Sequence, residues 1–167
     1  MQNILEIPLQ KICSAREYTL SLLEHLEPED WFRMPQEGVT HIAWQAGHIA
    51  MAQFRLCLER LRNLQPGDWD LIPKEFLKSF GKGTTPSADR SLYPEGAEIQ
   101  AVMHRVHEAV LNEVPQYATA DLTIPLRNPH PIFKTKLEAL SFCAQHEMLH
   151  AGQIGLLRRL LGKPPVR

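Results

Sequence analysis

The sequence lacks the features that mark several classes of protein. Its 167 residues carry a formal net charge of −1. This argues against a nucleic-acid binder, because phosphate contacts need a surplus of basic side chains. No apolar run is long enough to cross a bilayer. The start, MQNILEIPLQKICSAREY, has no basic segment followed by an apolar one, so we expect no secretion signal.

A disulfide framework is missing as well. Cys13, Cys57 and Cys143 are widely spaced and odd in number, which is typical of reduced thiols in a cytoplasmic protein. We find no internal repeat and no low-complexity tract. The length predicts one domain over residues 1–167 that can bury a substantial core.

The sequence has four stretches with helical periodicity and no convincing strand pattern. It predicts an all-α four-helix bundle with long connections, with helices over about residues 9–26, 41–64, 94–113 and 136–161. The connection over residues 65–92 should hold a short helical piece near residues 74–80. Its length favours a crossover connection instead of a plain up-down-up-down array.

The last helix has the clearest boundaries. Thr135 and Glu138 form the Thr-x-x-Glu pattern of a capping box at its start. Gly162 stands at the C-terminal cap position, and the prolines at 164 and 165 stop any continuation.

Two histidines of this last helix carry the main functional signal. His146 and His150 are one turn apart, so both point to the same side and can bind one metal ion. A helical wheel centred on His146 predicts a core-facing stripe that also holds Ala139, Phe142, Leu149, Gln153, Leu157 and Leu160. It places Glu147, Arg158 and Arg159 away from the core. The alternative, two ordinary core histidines, would need a separate buried partner for each ring.

The segment from His146 to His150 also matches H-E-x-x-H, the zinc-peptidase motif. The extended motif needs glycine and histidine where this chain has Gln153 and Leu156, and no acidic residue follows Glu147. No strand is predicted to hold a peptide, and Glu147 is predicted to face solvent. The peptidase is therefore the less favoured interpretation.

A third metal ligand is needed. His48 is preferred, because it is a polar ring inside a helix of small and apolar residues, Ala43 to Ala52, and such a ring needs a partner. Cys143, one turn before His146, is interpreted as a small core residue. The other histidines weighed are placed at helix ends, on solvated faces or in a loop: His25, His41, His104, His107 and His130.

These segments together resemble the DinB/YfiT-like family of metalloenzymes. The matching pieces are HIAWQAGHI at 41–49, HEMLHAGQI at 146–154 and LRRLLGKPP at 157–165. Element order agrees too, so the resemblance covers most of the chain. Each motif is weak alone, and the combination is fairly specific.

The resemblance implies an up-down-down-up bundle with a divalent transition metal, zinc or nickel, on His48, His146 and His150. It also implies a homodimer. Members with known activity include thiol transferases that use bacillithiol and an isomerase that uses mycothiol. The resemblance therefore extends to a low-molecular-weight thiol as cosubstrate. The family name describes gene regulation, and it does not imply contact with DNA.

Two classes of function follow. The first is a metal-dependent enzyme of the thiol S-transferase or hydrolase type, acting on a small molecule at an open coordination position. There Gln153 would orient a ligand or substrate, and Arg55 would either meet an anionic substrate or extend to solvent. The second is a non-catalytic, stress-associated protein whose metal is structural and closed by a fourth ligand. No residue is identified as a general base.

Overall fold

The computed structural model describes residues 4–128 and 130–166. Within those ranges every regular element is helical, and the β-type pairing is confined to one isolated bridge between Pro125 and Thr135. The all-α prediction is therefore confirmed. The helices are α1 (Glu6–Leu23), α2 (Ile42–Phe54), α3 (Arg60–Arg62), α4 (Asp68–Leu71), α5 (Lys74–Ser79), α6 (Gly96–Glu113), α7 (Thr119–Leu122) and α8 (Lys136–Leu160).

The predicted second helix is interrupted. A π-helical turn, Arg55–Glu59, joins α2 to α3, so the backbone stays helical to Arg62. It ends there because Asn63 adopts a positive φ of 61°, which a continuing helix cannot accommodate. The short α5 lies inside the long connection, close to its predicted place.

Helix α8 begins and ends as predicted. The Thr135 hydroxyl accepts the Glu138 backbone N–H, and the Glu138 carboxylate accepts the Thr135 backbone N–H. At the other end Gly162 has a φ of 80°. The backbone N–H groups of Gly162 and Lys163 bond the carbonyls of Arg159 and Arg158, the pairing of a Schellman motif.

The long helices pack around one core, in which α8 lies against α1 and α2, and α2 also lies against α6. Small residues on α2 allow close approach from the connecting segment. A Cβ atom on Gly47 would clash with the ring of Phe80, which follows α5 and is fully buried. The long connection is therefore tied to α2 at the level of His48. The up-down-down-up order stays a prediction.

The buried face of α8 differs from the predicted stripe. Glu147 and Arg158 are buried, with 2% and 4% of their surface exposed, whereas Leu149 and Leu160 are 64% and 59% exposed. Gln153 is exposed as well. The wheel was centred on His146, but the centre of the buried face lies about 60 to 100 degrees away, near Glu147. His146 and His150 are half-buried at the edge of this face.

The burial of Arg158 has a local cause. Its Nη1 donates hydrogen bonds of 2.8 and 2.9 Å to the carbonyls of Leu22 and Glu24 at the end of α1. The last carbonyls of a helix have no partner within that helix, so a donor from α8 satisfies them. The prediction that Arg158 faces away from the core was wrong because the wheel was centred on His146, and because the end of α1 that accepts these bonds is far away in the sequence.

No helix in the described ranges is both long and apolar enough to span a membrane.

Candidate metal site

The structure brings His48, His146 and His150 together between α2 and α8. One ring nitrogen from each histidine lies within 4.8 Å of the other two. The ring centroids are 4.5 Å apart for His146 and His150, 4.6 Å for His48 and His150, and 5.2 Å for His48 and His146. An ion between three such nitrogens could contact all of them after small side-chain adjustments.

Hydrogen bonds fix the orientation of two of these rings. The Nδ1 atom of His48 lies 2.8 Å from the carbonyl oxygen of Phe80, and the Nδ1 atom of His150 lies 2.6 Å from Oε1 of Gln45. A carbonyl or amide oxygen only accepts, so each Nδ1 carries the proton. Each Nε2 is then left with a free lone pair, which is the form in which histidine binds a metal.

Gln45 is itself held by the start of α2. Its Nε2 donates to the Thr40 hydroxyl at 3.0 Å, which directs the amide oxygen toward His150. The N-cap residue of α2 is His41, whose Nδ1 accepts a hydrogen bond from the backbone N–H of Trp44. One short stretch of chain thus supplies the helix cap, the orienting amide and, at His48, a candidate ligand.

Aromatic contacts hold His48 from another side. The Trp44 ring stacks on it with centroids 4.7 Å apart and planes 12° from parallel. The Trp44 indole N–H donates to the Thr84 hydroxyl at 3.0 Å. Because Gly47 admits the Phe80 ring, the Phe80 carbonyl also reaches His48. The His48 ring is therefore held by packing and by a hydrogen bond.

Burial keeps the three imidazoles neutral. It lowers the pKa of His146 to about 4, with a further contribution from His48. It lowers the pKa of His150 to about 3, together with the neighbouring His146 and His48. Burial also lowers the pKa of His48, against a hydrogen bond to Phe80 that raises it, and the charge of Arg55 adds to the lowering. Neutral imidazole is the form that a metal requires.

The residues present therefore fit a transition metal. Three neutral nitrogen donors converge, and two have the oriented Nδ1–H that histidine ligands commonly show. Among the described residues, no cysteine or carboxylate joins this group. Cys143 lies buried in the core with Cys57, as predicted.

Glu147 of the H-E-x-x-H segment is not a surface residue. Both of its carboxylate oxygens accept from Arg16 of α1, at 2.8 and 3.2 Å, and the two side chains are 2% and 3% exposed. The prediction that Glu147 faces solvent was wrong. The physical reason is the buried guanidinium opposite it, because a buried charge needs a partner of opposite sign.

The same guanidinium contacts the other long helices. Arg16 donates to the Met103 carbonyl on α6 at 2.7 Å and to Oε1 of Gln53 on α2 at 2.8 Å. The Gln53 amide nitrogen in turn contacts Nδ1 of His107 at 3.0 Å. The pKa of His107 is lowered to about 4, mainly because the ring is buried, and the charges of Arg16 and His104 add to the lowering. His107 was predicted on a solvated face, but it is half-buried within this network; His104 is exposed as predicted.

A cavity of about 500 Å³ opens beside the histidines, lined in part by His48 and His146. Arg55 also lines it and is 46% exposed, 3.7 Å from Glu59. His130 stacks on Phe133 with centroids 4.4 Å apart at the same cavity, although its sequence position between prolines gave no information.

Sequence reasoning missed Gln45 and Arg16. Gln45 lies one turn before His48 in the same apolar run, and a polar side chain there carries the same signal that selected His48. Gln153, which was expected to act as an orienting group, is exposed instead. For Arg16 no signal was available, because an arginine in an amphipathic helix normally reaches solvent.

Comparison with known proteins supports the family resemblance and the fold. A family model described as the DinB superfamily matches residues 13–154, and the chain belongs to that family. A solved structure described as a conserved protein of locus from Enterococcus faecalis has a TM-score of 0.77 at 15% identity. The alignment covers 98% of this chain and 100% of that one, which shows a shared fold. No curated protein matches the sequence.

The Arg16–Glu147 pair yields a prediction about stability. Glu147→Gln leaves a buried guanidinium without its counter-charge, so we expect the free energy of unfolding to fall by about 3 kcal/mol. Urea denaturation measures this. The control is Glu108→Gln, an exposed glutamate on α6, which should change stability by less than about 0.5 kcal/mol. Unchanged stability for Glu147→Gln would contradict a structural role and return Glu147 to consideration as a catalytic base.

Proposed function

We propose that His48, His146 and His150 bind one divalent transition metal. The observation that carries the proposal is the convergence of three ring nitrogens within 4.8 Å. The fixed Nδ1–H groups of His48 and His150 support it, because they leave Nε2 free on both rings. Zinc or nickel is the expected ion, since imidazole suits both.

We further propose that the protein is a metal-dependent enzyme acting on a small molecule, of the thiol S-transferase or hydrolase type. Three protein ligands leave a coordination position open, as in catalytic sites. When bound, the metal would supply Lewis acidity that makes a bound water or low-molecular-weight thiol nucleophilic at neutral pH. The cavity beside His48 and His146 gives a small molecule access to that position.

The residues of the chain would then act by positioning. Gln45 and the Phe80 carbonyl hold two imidazoles in the metal-binding tautomer. Trp44 covers His48 on one ring face and keeps water from it. Such fixed donors need little rearrangement when the metal or a substrate binds.

A structural metal is the second candidate. It is less well supported, because structural zinc sites have four protein ligands and the described residues offer a group of three here. A zinc peptidase is less well supported again. Its motif requires a glutamate free to act as a base, whereas the Glu147 carboxylate is bonded to Arg16 and buried.

Several further expectations belong to the same proposal. They are a low-molecular-weight thiol as cosubstrate, a homodimer, a cytoplasmic location and a single domain over the whole chain. They follow from the sequence patterns and from the family resemblance.

The first test is metal content. Untagged protein should carry about one equivalent of metal per chain, because one site is formed, and His48→Ala and His150→Ala should each lose it. Elemental analysis by mass spectrometry measures this. The control, His104→Ala, removes an exposed histidine of α6 and should keep the metal. Metal retained in His48→Ala would show that helix α2 does not contribute a ligand.

The second test concerns the orienting amide. Gln45→Ala removes the acceptor for the His150 Nδ1–H, so we expect zinc affinity to fall by about 10- to 100-fold. Competition with a chromophoric chelator measures the dissociation constant.

Two variants control this test. Gln45→Glu keeps an acceptor oxygen and should restore most of the affinity, whereas Gln145→Ala removes an exposed amide from α8 and should have no effect. Equal zinc affinity for Gln45→Ala and wild type would show that the hydrogen bond does not orient a ligand.

A further inference from the structure

The cavity beside the three histidines has walls of two kinds. Arg55, Arg60 and Lys82 contribute positive charge, and Phe133 and Phe142 contribute aromatic surface. At about 500 Å³ it is large enough for a small organic molecule. Among the described residues that line it, none is acidic.

The positive charge in this cavity is largely unmatched. Within residues 4–128 and 130–166, neither Arg60 nor Lys82 forms an ion pair, and the buried Nε of Arg60 has no hydrogen-bond partner. Arg55 has a weak partner, Glu59, at 3.7 Å. The Nε atom is itself out of reach of the cavity, but a guanidinium that lines a cavity without a counter-charge is suited to an anionic ligand, which would bind its other nitrogens.

The arginine is also held in place. The Arg60 guanidinium lies over the Phe133 ring, 5.0 Å from its centroid, and His130 stacks on Phe133 at 4.4 Å. This contact restricts the side chain, so less conformational freedom is lost when it binds an acceptor. On the other side, the Phe142 ring contacts His146 edge-on at 5.8 Å. The aromatic wall therefore runs from the charged groups to the candidate metal ligands.

We propose that this cavity binds an organic anion, whose carboxylate is held by Arg60 and Lys82 and whose apolar part lies against Phe133 and Phe142. Its other end is then directed toward His48 and His146. That the anion is the substrate depends on the proposed metal-dependent function. That an anion binds here depends only on the charged and aromatic residues of the cavity.

The test compares two probes of equal shape. Phenylacetate and phenylacetamide are titrated into the full-length protein, first stripped of metal and then loaded with zinc, and binding is followed by chemical shifts of the backbone amides. We expect phenylacetate to bind at least about tenfold more tightly than phenylacetamide in both samples, and more weakly as salt rises. The shifts should cluster around the cavity.

Charge-removal variants locate the anion. Arg60→Gln should weaken phenylacetate binding by about 5- to 20-fold, and Lys82→Gln, which removes an exposed charge, by about 2- to 5-fold. Lys82 is exposed, so Lys82→Gln leaves folding unaffected and keeps the test decisive if Arg60→Gln is unstable. The matched controls Lys78→Gln and Arg159→Gln remove exposed charges outside this cavity and should bind phenylacetate as the wild type does.

Three results would overturn the proposal. They are no detectable phenylacetate binding, equal affinity for the two probes, or binding that requires zinc and is unchanged in Lys82→Gln. The last would mean that the carboxylate binds the metal alone. A zinc titration of the same sample separates the two claims. Charge-dependent phenylacetate binding in a protein that binds no zinc would support the anion site and contradict the metal-dependent function.

Discussion

The arrangement of the long helices depends on one buried guanidinium. Arg16 of α1 reaches α8 through Glu147, α2 through Gln53 and α6 through the Met103 carbonyl. A buried charge with several directional bonds permits few relative positions of the helices that supply them. In particular it turns α8 so that Glu147 points inward. His146 and His150, which lie to one side of Glu147 on the helix, then point toward α2 and not into the centre of the core.

Two hydrogen-bond acceptors complete the candidate site. Gln45 reaches His150 from the first turns of α2, and the Phe80 carbonyl reaches His48 from the end of α5. Gly47 makes the second contact possible, because any side chain there would displace the Phe80 ring. The long connection between α2 and α6 therefore contributes to the candidate site, because it provides the hydrogen-bond acceptor for His48.

The sequence predicted where the helices begin and end better than it predicted which of their faces are buried. Local signals sufficed for the capping box at Thr135 and the glycine cap at 162, since both depend on neighbouring residues. His48 could be selected because a polar ring in a run of small residues requires a partner. The buried face of α8 could not be derived, because Glu147 and Arg158 look like surface residues until Arg16 and the end of α1 are placed opposite them. Long-range partners of buried charges are not encoded in local periodicity.

We infer that the imidazoles of His48, His146 and His150 hold one metal ion and leave a coordination position open. X-ray absorption spectroscopy at the zinc edge of zinc-loaded protein tests it most directly. We expect three imidazole nitrogens at about 2.0 to 2.1 Å and at least one further light-atom ligand from solvent. A sulfur ligand at about 2.3 Å, or fewer than three imidazoles, would contradict it, because the ion would then be bound by residues other than His48, His146 and His150.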